Sequence, residues 1–337
     1  MSLAEIIGQE KGIKILTGIL ERRRLASSYI FSGEPGIGKK LTAVNFAKAL
    51  NCLKPEVRSQ KSEVNFELRT LNSELSTRVD ACDECDSCLK IDAGSHPDLL
   101  LVSPEDRLIK IDEIRLINDA LSFRPFEGRK KIVIVDDADT MNIASANAFL
   151  KTLEEPPEDS VIILISSRPD RLPATIRSRC SRVNFVTLSL ESCKQVLRGK
   201  VPDEELEPLA KLSMGKPGLA LSSDLKEEIT WFSSLLKGML NSEKDNWASK
   251  EEMDRWFEYV LTMMRDAAVF GITGETSQLI NADLWEYVSK PGKSTDLQVI
   301  INMYKELSLV KGLLLFNLNK SITWNYTASL LRKGLVL

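Results

Sequence analysis

Residues Gly33-Glu34-Pro35-Gly36-Ile37-Gly38-Lys39-Lys40 follow the pattern G-x-x-x-x-G-K-[ST] up to its last letter, where Lys40 stands in place of a hydroxyl. Glycines at this spacing let backbone N–H groups wrap a phosphate, and Lys39 would reach the outer phosphates. The missing Ser or Thr would hold Mg²⁺, which neutralises charge as a terminal phosphoryl group leaves. Lys40 brings an ammonium near that position instead. Thr42 is no replacement, because two residues along a helix turn about 200° around its axis. The loop reads as a nucleotide cradle without its catalytic metal.

A second acidic cluster belongs to the same chemistry. Ile132-Val133-Ile134-Val135 runs into Asp136-Asp137-Ala138-Asp139, the form of a Walker B strand. Asp136 would support Mg²⁺, and the next position normally carries a Glu that polarises the attacking water. Asp137 is shorter by one methylene, so its carboxylate would fall roughly 1–1.5 Å short, and about 1 Å of misplacement can cost ~10²-fold in rate. The bland alternative is a pair of acids capping a turn.

Cysteine spacing carries a separate chemistry. Cys82, Cys85 and Cys88 form C-x₂-C-x₂-C, and Cys52 precedes them. Four thiolates suit tetrahedral Zn²⁺, and a closed Cys₄ site leaves no open coordination position, so the expected role is structural. An Fe–S cluster or a redox C-x-x-C pair uses the same residues. Cys180 and Cys193 have no comparable partners and read as reduced thiols. His96, the single histidine, precedes Pro97 and fits a turn or packing role better than ligation or base catalysis.

These groups need elements to hold them. A helix is expected over 9–23, a buried strand at Tyr29-Ile30-Phe31 leading into the glycine loop, and a helix from Lys39 to Leu50. Residues 53–81 are polar, lack a strong period and read as an insertion. Further strands are expected at Leu99–Val102, Ile132–Val135 and Val161–Ile165, with helices at Ile111–Leu121 and about Ser145–Leu153. Aliphatic strands alternating with amphipathic helices imply an α/β fold, a parallel sheet covered on both faces. Beyond about residue 187 strand signals stop, and helices are expected at about 189–198, 203–213, 223–240, 250–270, 296–317 and 322–335. In the fourth of these, Met253, Trp256, Phe257, Val260, Leu261 and Met264 recur at helical spacing, which suits a core or a subunit interface.

The bulk numbers set limits. With 337 residues, 43% hydrophobic and 28% charged, the chain is an ordinary globular protein of two or three domains. A net charge of −3 gives no overall drive toward nucleic acid, so any contact with DNA would come from a local patch or from assembly. The longest aliphatic run, Val161–Ile165, is too short to span a bilayer, and the first residues do not read as a signal peptide. A cytoplasmic protein without membrane contact is expected.

Arginines gather after the last strand signal, in Thr175-Ile176-Arg177-Ser178-Arg179-Cys180 with Arg168, Arg171 and Arg182 nearby. Pro169 and Pro173 fix the direction of the turns between them. Here the motifs join. The chain resembles, over nearly its whole length, the AAA+ clamp-loader subunits of bacterial DNA polymerase III. The matching stretches are S-Y-I-F-S-G-E-P-G-I-G-K-K, A-L-N-C leading to C-D-E-C-D-S-C, N-A-F-L-K-T-L-E-E-P-P-E, L-P-A-T-I-R-S-R-C and N-L-N-K-S-I-T-W-N-Y-T-A-S-L-L.

The resemblance implies an AAA+ RecA-like core with a zinc-binding insertion (1–187, zinc module 52–88), a small helical lid (188–222) and an all-α collar for oligomerisation (223–337). Apolar stripes such as that of Trp256 would be buried against other subunits. The zinc ligands implied are Cys52, Cys82, Cys85 and Cys88. Arg179 of the Ser178-Arg179-Cys180 motif would act as an arginine finger in a neighbouring subunit's ATP site, a contribution of ~10³–10⁵ in rate. The implied partners are tau/gamma and delta subunits, the sliding clamp and, through the assembly, primer-template DNA.

Motor members of the family carry G-K-[ST], D-E after the Walker B strand and an arginine in the sensor-2 helix. This chain has Lys40, Asp137 and, at the matching position, Gly218, and so resembles the class that lacks effective hydrolysis. ATP and Mg²⁺ are therefore doubtful occupants of the cradle formed by Gly33, Gly36, Gly38, Lys39, Lys40, Asp136 and Asp137. Rival readings are an active motor ATPase of the same family, a small-molecule P-loop kinase or transferase, and a zinc-dependent DNA-binding module. The last is disfavoured by the lack of a basic stripe around the cysteines.

Overall fold

A computed structural model describes residues 1–54, 56–59, 77–104, 108–222, 225–241, 247–275, 279–280, 296–316 and 318–334. The chain forms two compact units, Met1–Ser192 and Cys193–Leu337.

The first unit is built on aliphatic runs that water rejects. Strands β1 (Ser28–Ser32), β4 (Leu99–Val102), β5 (Lys131–Val135), β6 (Ser160–Ser166) and β7 (Ser181–Asn184) form one sheet in the order β4-β5-β6-β1-β7, every pairing parallel. Every residue of β1 and β6 is buried, as central strands covered on both faces must be. Helices α4 (Ile111–Leu121) and α5 (Ile143–Glu154) place Ile114, Ile117, Phe149 and Leu153 on one face, against Val133, Val135, Ile162 and Leu164. Helices α1 (Glu10–Arg22) and α2 (Lys39–Asn51) supply Leu16, Phe46 and Ala47 to the rest of the buried core. Fully burying one such aliphatic side chain contributes about 1.5–3 kcal/mol.

The strand order fixes where a ligand can sit. The chain leaves β1 through α2 for the far edge at β4, returns through β5 and β6 to one side of β1, and then crosses to β7 on its other side. Between β1 and β6 the connections depart in opposite directions, which opens a crevice at the carboxyl ends of those strands. The glycine loop follows β1, and Ser167 follows the end of β6 at Ser166.

Most of the expected elements are present within a residue or two. Strand β7 is an addition: Ser181-Arg182-Val183-Asn184 offers one buried apolar side chain, Val183, and so gives no aliphatic signal. It is stitched along β1, with Tyr29 opposite Ser181 and Phe31 opposite Val183. The insertion contains an antiparallel pair, β2 (Glu56–Ser59) and β3 (Thr77–Asp80), and helix α3 (Asp86–Asp92) follows it. Its residues 55 and 60–76 lie outside the described residues, as do 223, 224, 317 and 335 at the ends of expected helices.

Among the described residues of the second unit, helices are the regular structure, apart from an isolated bridge between Arg198 and Val201. Helix α7 (Leu190–Leu197) spans the boundary between the units, and α8 (Asp203–Leu212), α9 (Pro217–Ser222), α10 (Leu225–Leu240), α11 (Lys250–Thr273), α12 (Leu297–Leu313) and α13 (Lys320–Gly334) follow. Met214 and Gly215, both at positive φ, break the run between α8 and α9. The apolar stripe of α11 departs from the expectation of a subunit interface. Met253, Trp256, Phe257, Val260 and Met264 are buried within this unit, packed with Phe232, Trp247 and Trp324. Trp247 lies 5.8 Å from the Trp256 ring and 5.1 Å from that of Trp324, both edge-on. A stripe at core spacing found partners in its own chain, so it is not a face left for another subunit. No helix among the described residues is long and apolar enough to cross a membrane.

Candidate nucleotide cradle, metal centre and outward arginine

The glycine loop takes the backbone form that its residues permit. Gly33, Gly36 and Gly38 have φ of 152°, 74° and 95°, in the region that favours glycine. At Gly33 the need is also spatial, since a Cβ there would come within 2.6 Å of the Phe185 carbonyl oxygen. Gly38 then hands the chain to α2, whose first turn directs N–H groups at the loop.

Lys39 is nearly buried, and its ammonium turns onto its own loop. Nζ donates to the carbonyls of Gly33 (2.6 Å) and Glu34 (2.7 Å) and to Ser167 Oγ (3.2 Å). Burial holds its pKa below the usual lysine value, against the pull of Asp137, Asp136, Asp139 and Glu34. Ser167 belongs to no motif read from the sequence. Its signal is topological: it follows β6, the neighbour of β1. Asp139 fixes this corner by accepting from Ser166 Oγ (2.7 Å) and the Ser167 N–H (3.1 Å).

Lys40 reaches the acid strand. Its Nζ lies 3.0 Å from Asp136 Oδ2, so an ammonium of the loop neutralises the carboxylate that would support a metal. Thr42 is fully buried and spends its hydroxyl on the Gly38 carbonyl at 2.9 Å, inside its own helix. Asp137 sits at φ 44° and accepts a bond from Thr140 Oγ1 at its carbonyl. Desolvation and then the Asp136 and Asp139 carboxylates raise the Asp137 pKa, more than Lys39 and Lys40 lower it. The structure thus brings Gly33, Gly36, Gly38, Lys39, Lys40, Asp136 and Asp137 to one crevice. Gly218 is the second residue of α9, which Pro217 opens in the second unit.

The four cysteines converge from separate segments. Cys52 follows α2, Cys82 and Cys85 flank a tight turn with Asp83 at φ 62°, and Cys88 lies in α3. Their sulfurs all lie within 4.8 Å of one another, with Cys52–Cys85 and Cys82–Cys88 each at 4.0 Å. Tetrahedral Zn–S bonds of about 2.3 Å place sulfurs about 3.8 Å apart, so the spacing suits a divalent ion of that size. Two sulfurs also receive backbone N–H groups, Cys52 from Cys82 and Cys82 from Cys85, each at 3.4 Å. Burial alone would raise the Cys85 thiol, but N–H groups of Cys88 and Leu53 and the neighbouring thiols take it down to about 6. Burial holds Cys52 and Cys88 above the usual thiol value. This donor set could hold a metal ion.

His96 is a buried packing residue beside this centre. The Asp98 N–H donates to its Nδ1 (3.1 Å), leaving Nε2 to carry the proton toward Ser87 Oγ (3.1 Å). Burial lowers its pKa, consistent with that neutral tautomer.

Arg179 lies between α6 (Ala174–Arg177) and β7. Ile176, fully buried, and half-buried Cys180 anchor the turn on either side. The guanidinium stays at the surface with a side-chain exposure of 34%: Nη1 donates to the Thr175 carbonyl at 2.8 Å and Nη2 lies 2.6 Å from Glu154 at the end of α5. Arg177 pairs with Asp170 at 3.0 Å, and Arg182 Nε donates to Ser32 Oγ at 3.0 Å along the β7–β1 seam. Burial pushes the Cys180 thiol up to about 12, which makes it a poor nucleophile.

Sequence comparisons supply the family. The sequence profile described as "DNA polymerase III, delta subunit" matches residues 8–67 and 56–189, more than half of the chain and all of the sheet. The chain belongs to the DNA polymerase III delta-subunit family. The matched residues include the whole parallel sheet, in the order β4-β5-β6-β1-β7. It is 26% identical to DNA polymerase III subunit delta' of Bacillus subtilis (strain 168), over 97% of each chain. It is 35% identical to subunit delta' of Pseudomonas aeruginosa over 58% of this chain and 55% of that one. Subunit tau of Bacillus subtilis is 32% identical over 60% of this chain, but the match spans 32% of that longer protein. Membership of this family displaces the reading as a small-molecule kinase or transferase.

Proposed function

We propose that the protein is the delta'-like subunit of a DNA polymerase III clamp loader, a stator without effective hydrolysis of its own that lends Arg179 to the ATP site of a neighbouring subunit. One observation carries the reading: the Lys40 ammonium, 3.0 Å from Asp136, takes the place where a motor subunit keeps a hydroxyl and a divalent ion. Asp137 in place of Glu and Gly218 in place of a sensor-2 arginine point the same way. Likeness to tau relatives does not weigh against it, because the departures lie at the residues that hydrolysis needs. The second support is that Arg179 is exposed at a sheet edge and held by surface groups only.

On this reading the chemistry divides between chains. ATP bound next door would supply the transferring phosphoryl group, and the guanidinium of Arg179 would stabilise its developing charge. The four cysteines would hold a structural zinc, keeping the insertion folded without taking part in turnover. Helices from 188 to 222 would form a lid and those from 223 onward a collar that assembles with tau/gamma and delta subunits in the cytoplasm. The sliding clamp and primer-template DNA would be met by the assembly.

The test is a loader reconstituted with the Arg179→Ala variant. Single-turnover hydrolysis at the adjoining site is expected to fall by about 10³-fold or more, with assembly intact by gel filtration. Undiminished clamp-dependent turnover would remove the role. Hydrolysis by the purified chain at motor rates would instead establish the active-ATPase reading.

A further inference from the structure

The cysteine centre has a second fastening, made of charge. Lys48 lies on α2, one turn before Cys52, and its side chain is fully buried. Its ammonium lies 2.7 Å from the Asp83 carboxylate and 2.8 Å from each oxygen of Asp92. Asp83 sits in the turn between Cys82 and Cys85, while Asp92 ends α3, one turn beyond Cys88. One ammonium therefore ties together the three segments that carry all four thiols.

Burying an ammonium costs several kcal/mol unless its donors are taken up by well-placed anions. Here they are: the pull of Asp83 and Asp92 outweighs desolvation and raises the Lys48 pKa, so the group stays charged. Charge also matters to the centre itself. Four thiolates around a divalent cation carry a net charge of −2, and the Asp83 and Asp92 carboxylates would add to it. A cation between those carboxylates removes much of the repulsion that would otherwise oppose four deprotonated cysteines.

We infer that Lys48 is a positioning residue for the metal centre, pre-setting the three cysteine segments for a thiophilic divalent cation and offsetting the charge beside it. An ordinary ion pair between α2 and α3 would stabilise the fold alone. The inference does not depend on the role of Arg179.

Cobalt(II) titration of the reduced, metal-stripped full chain separates the two. Its visible absorption bands report tetrahedral thiolate coordination, and zinc competition gives the affinity. Lys48→Met is expected to keep the tetrathiolate spectrum while weakening affinity by about 10–100-fold, the usual cost of removing a group that orients metal ligands. Lys48→Arg, which keeps the charge, should recover part of the loss. If Lys48→Met fails to fold, Asp92→Asn, at a half-exposed partner, should show a smaller loss in the same direction. Wild-type affinity in a folded Lys48→Met or Asp92→Asn protein, even with a lowered melting temperature, would overturn the inference. So would a wild-type chain that binds neither ion.

Discussion

Lys40 shows how much one side chain can decide in a phosphate loop. Its ammonium lies 3.0 Å from Asp136, and on the proposed reading this tethered charge stands in for an ion. Lys40→Thr should free Asp136 and restore a hydroxyl at the head of α2. Magnesium-dependent binding of a fluorescent ATP analogue is then expected to strengthen about tenfold, the worth of one charge-assisted bond of about 1.5 kcal/mol. Equal binding by variant and parent, with and without magnesium, would contradict that. The loop itself was legible from the sequence because glycine spacing, strand and helix agree locally. What Lys39 does was not: it folds back onto Gly33, Glu34 and Ser167, and Ser167 is distant in sequence. The pairing of Arg179 with Glu154 is hidden for the same reason.

At the scale of elements, polar residues do structural work that periodicity cannot show. Asp98, fully buried before β4, accepts N–H groups from Phe126 (2.7 Å), Glu127 (2.9 Å) and Gly128 (2.7 Å), so it shapes the loop that leads into β5. Burial alone would raise its pKa, but those N–H groups and Lys131 bring it below the usual 3.8. The sign follows: the stabilisation from its ionised form is present above pH 3.8 and is lost as pH falls through the lower folded value. Asp98→Asn should cost about 2–3 kcal/mol at pH 7 in urea unfolding, since an amide presents a donor where only acceptors fit. The difference should narrow below pH 3.8, and a gap that stays constant down to pH 2 would be inconsistent. Strands β5 and β6 were readable as unbroken aliphatic runs, and β1 as the short apolar segment Tyr29-Ile30-Phe31. Edge strand β7 was not, because its register is set by β1 and not by its own residues, and the β2–β3 pair is likewise polar in sequence.

For the whole molecule, the two units have separate cores. Trp256, fully buried in α11 and ringed by Phe232, Trp247 and Phe257, belongs to the second alone. Trp256→Ala should destabilise that unit by about 3–5 kcal/mol. Calorimetry should show its transition moving down while the sheet unit's transition holds. A single transition shifting as one would show that the units melt together. The α11 stripe was evident in sequence, but spacing cannot tell a chain's own core from a partner's surface, and here segments on both sides of it in the chain supply the cover. The Arg179–Glu154 contact is a weak tether. Both side chains are partly solvated, at 34% and 47%, and exposed ion pairs contribute only about 0–1 kcal/mol. The guanidinium can therefore exchange a carboxylate for another anion with almost no penalty to the fold, and rising salt alone should loosen its tether.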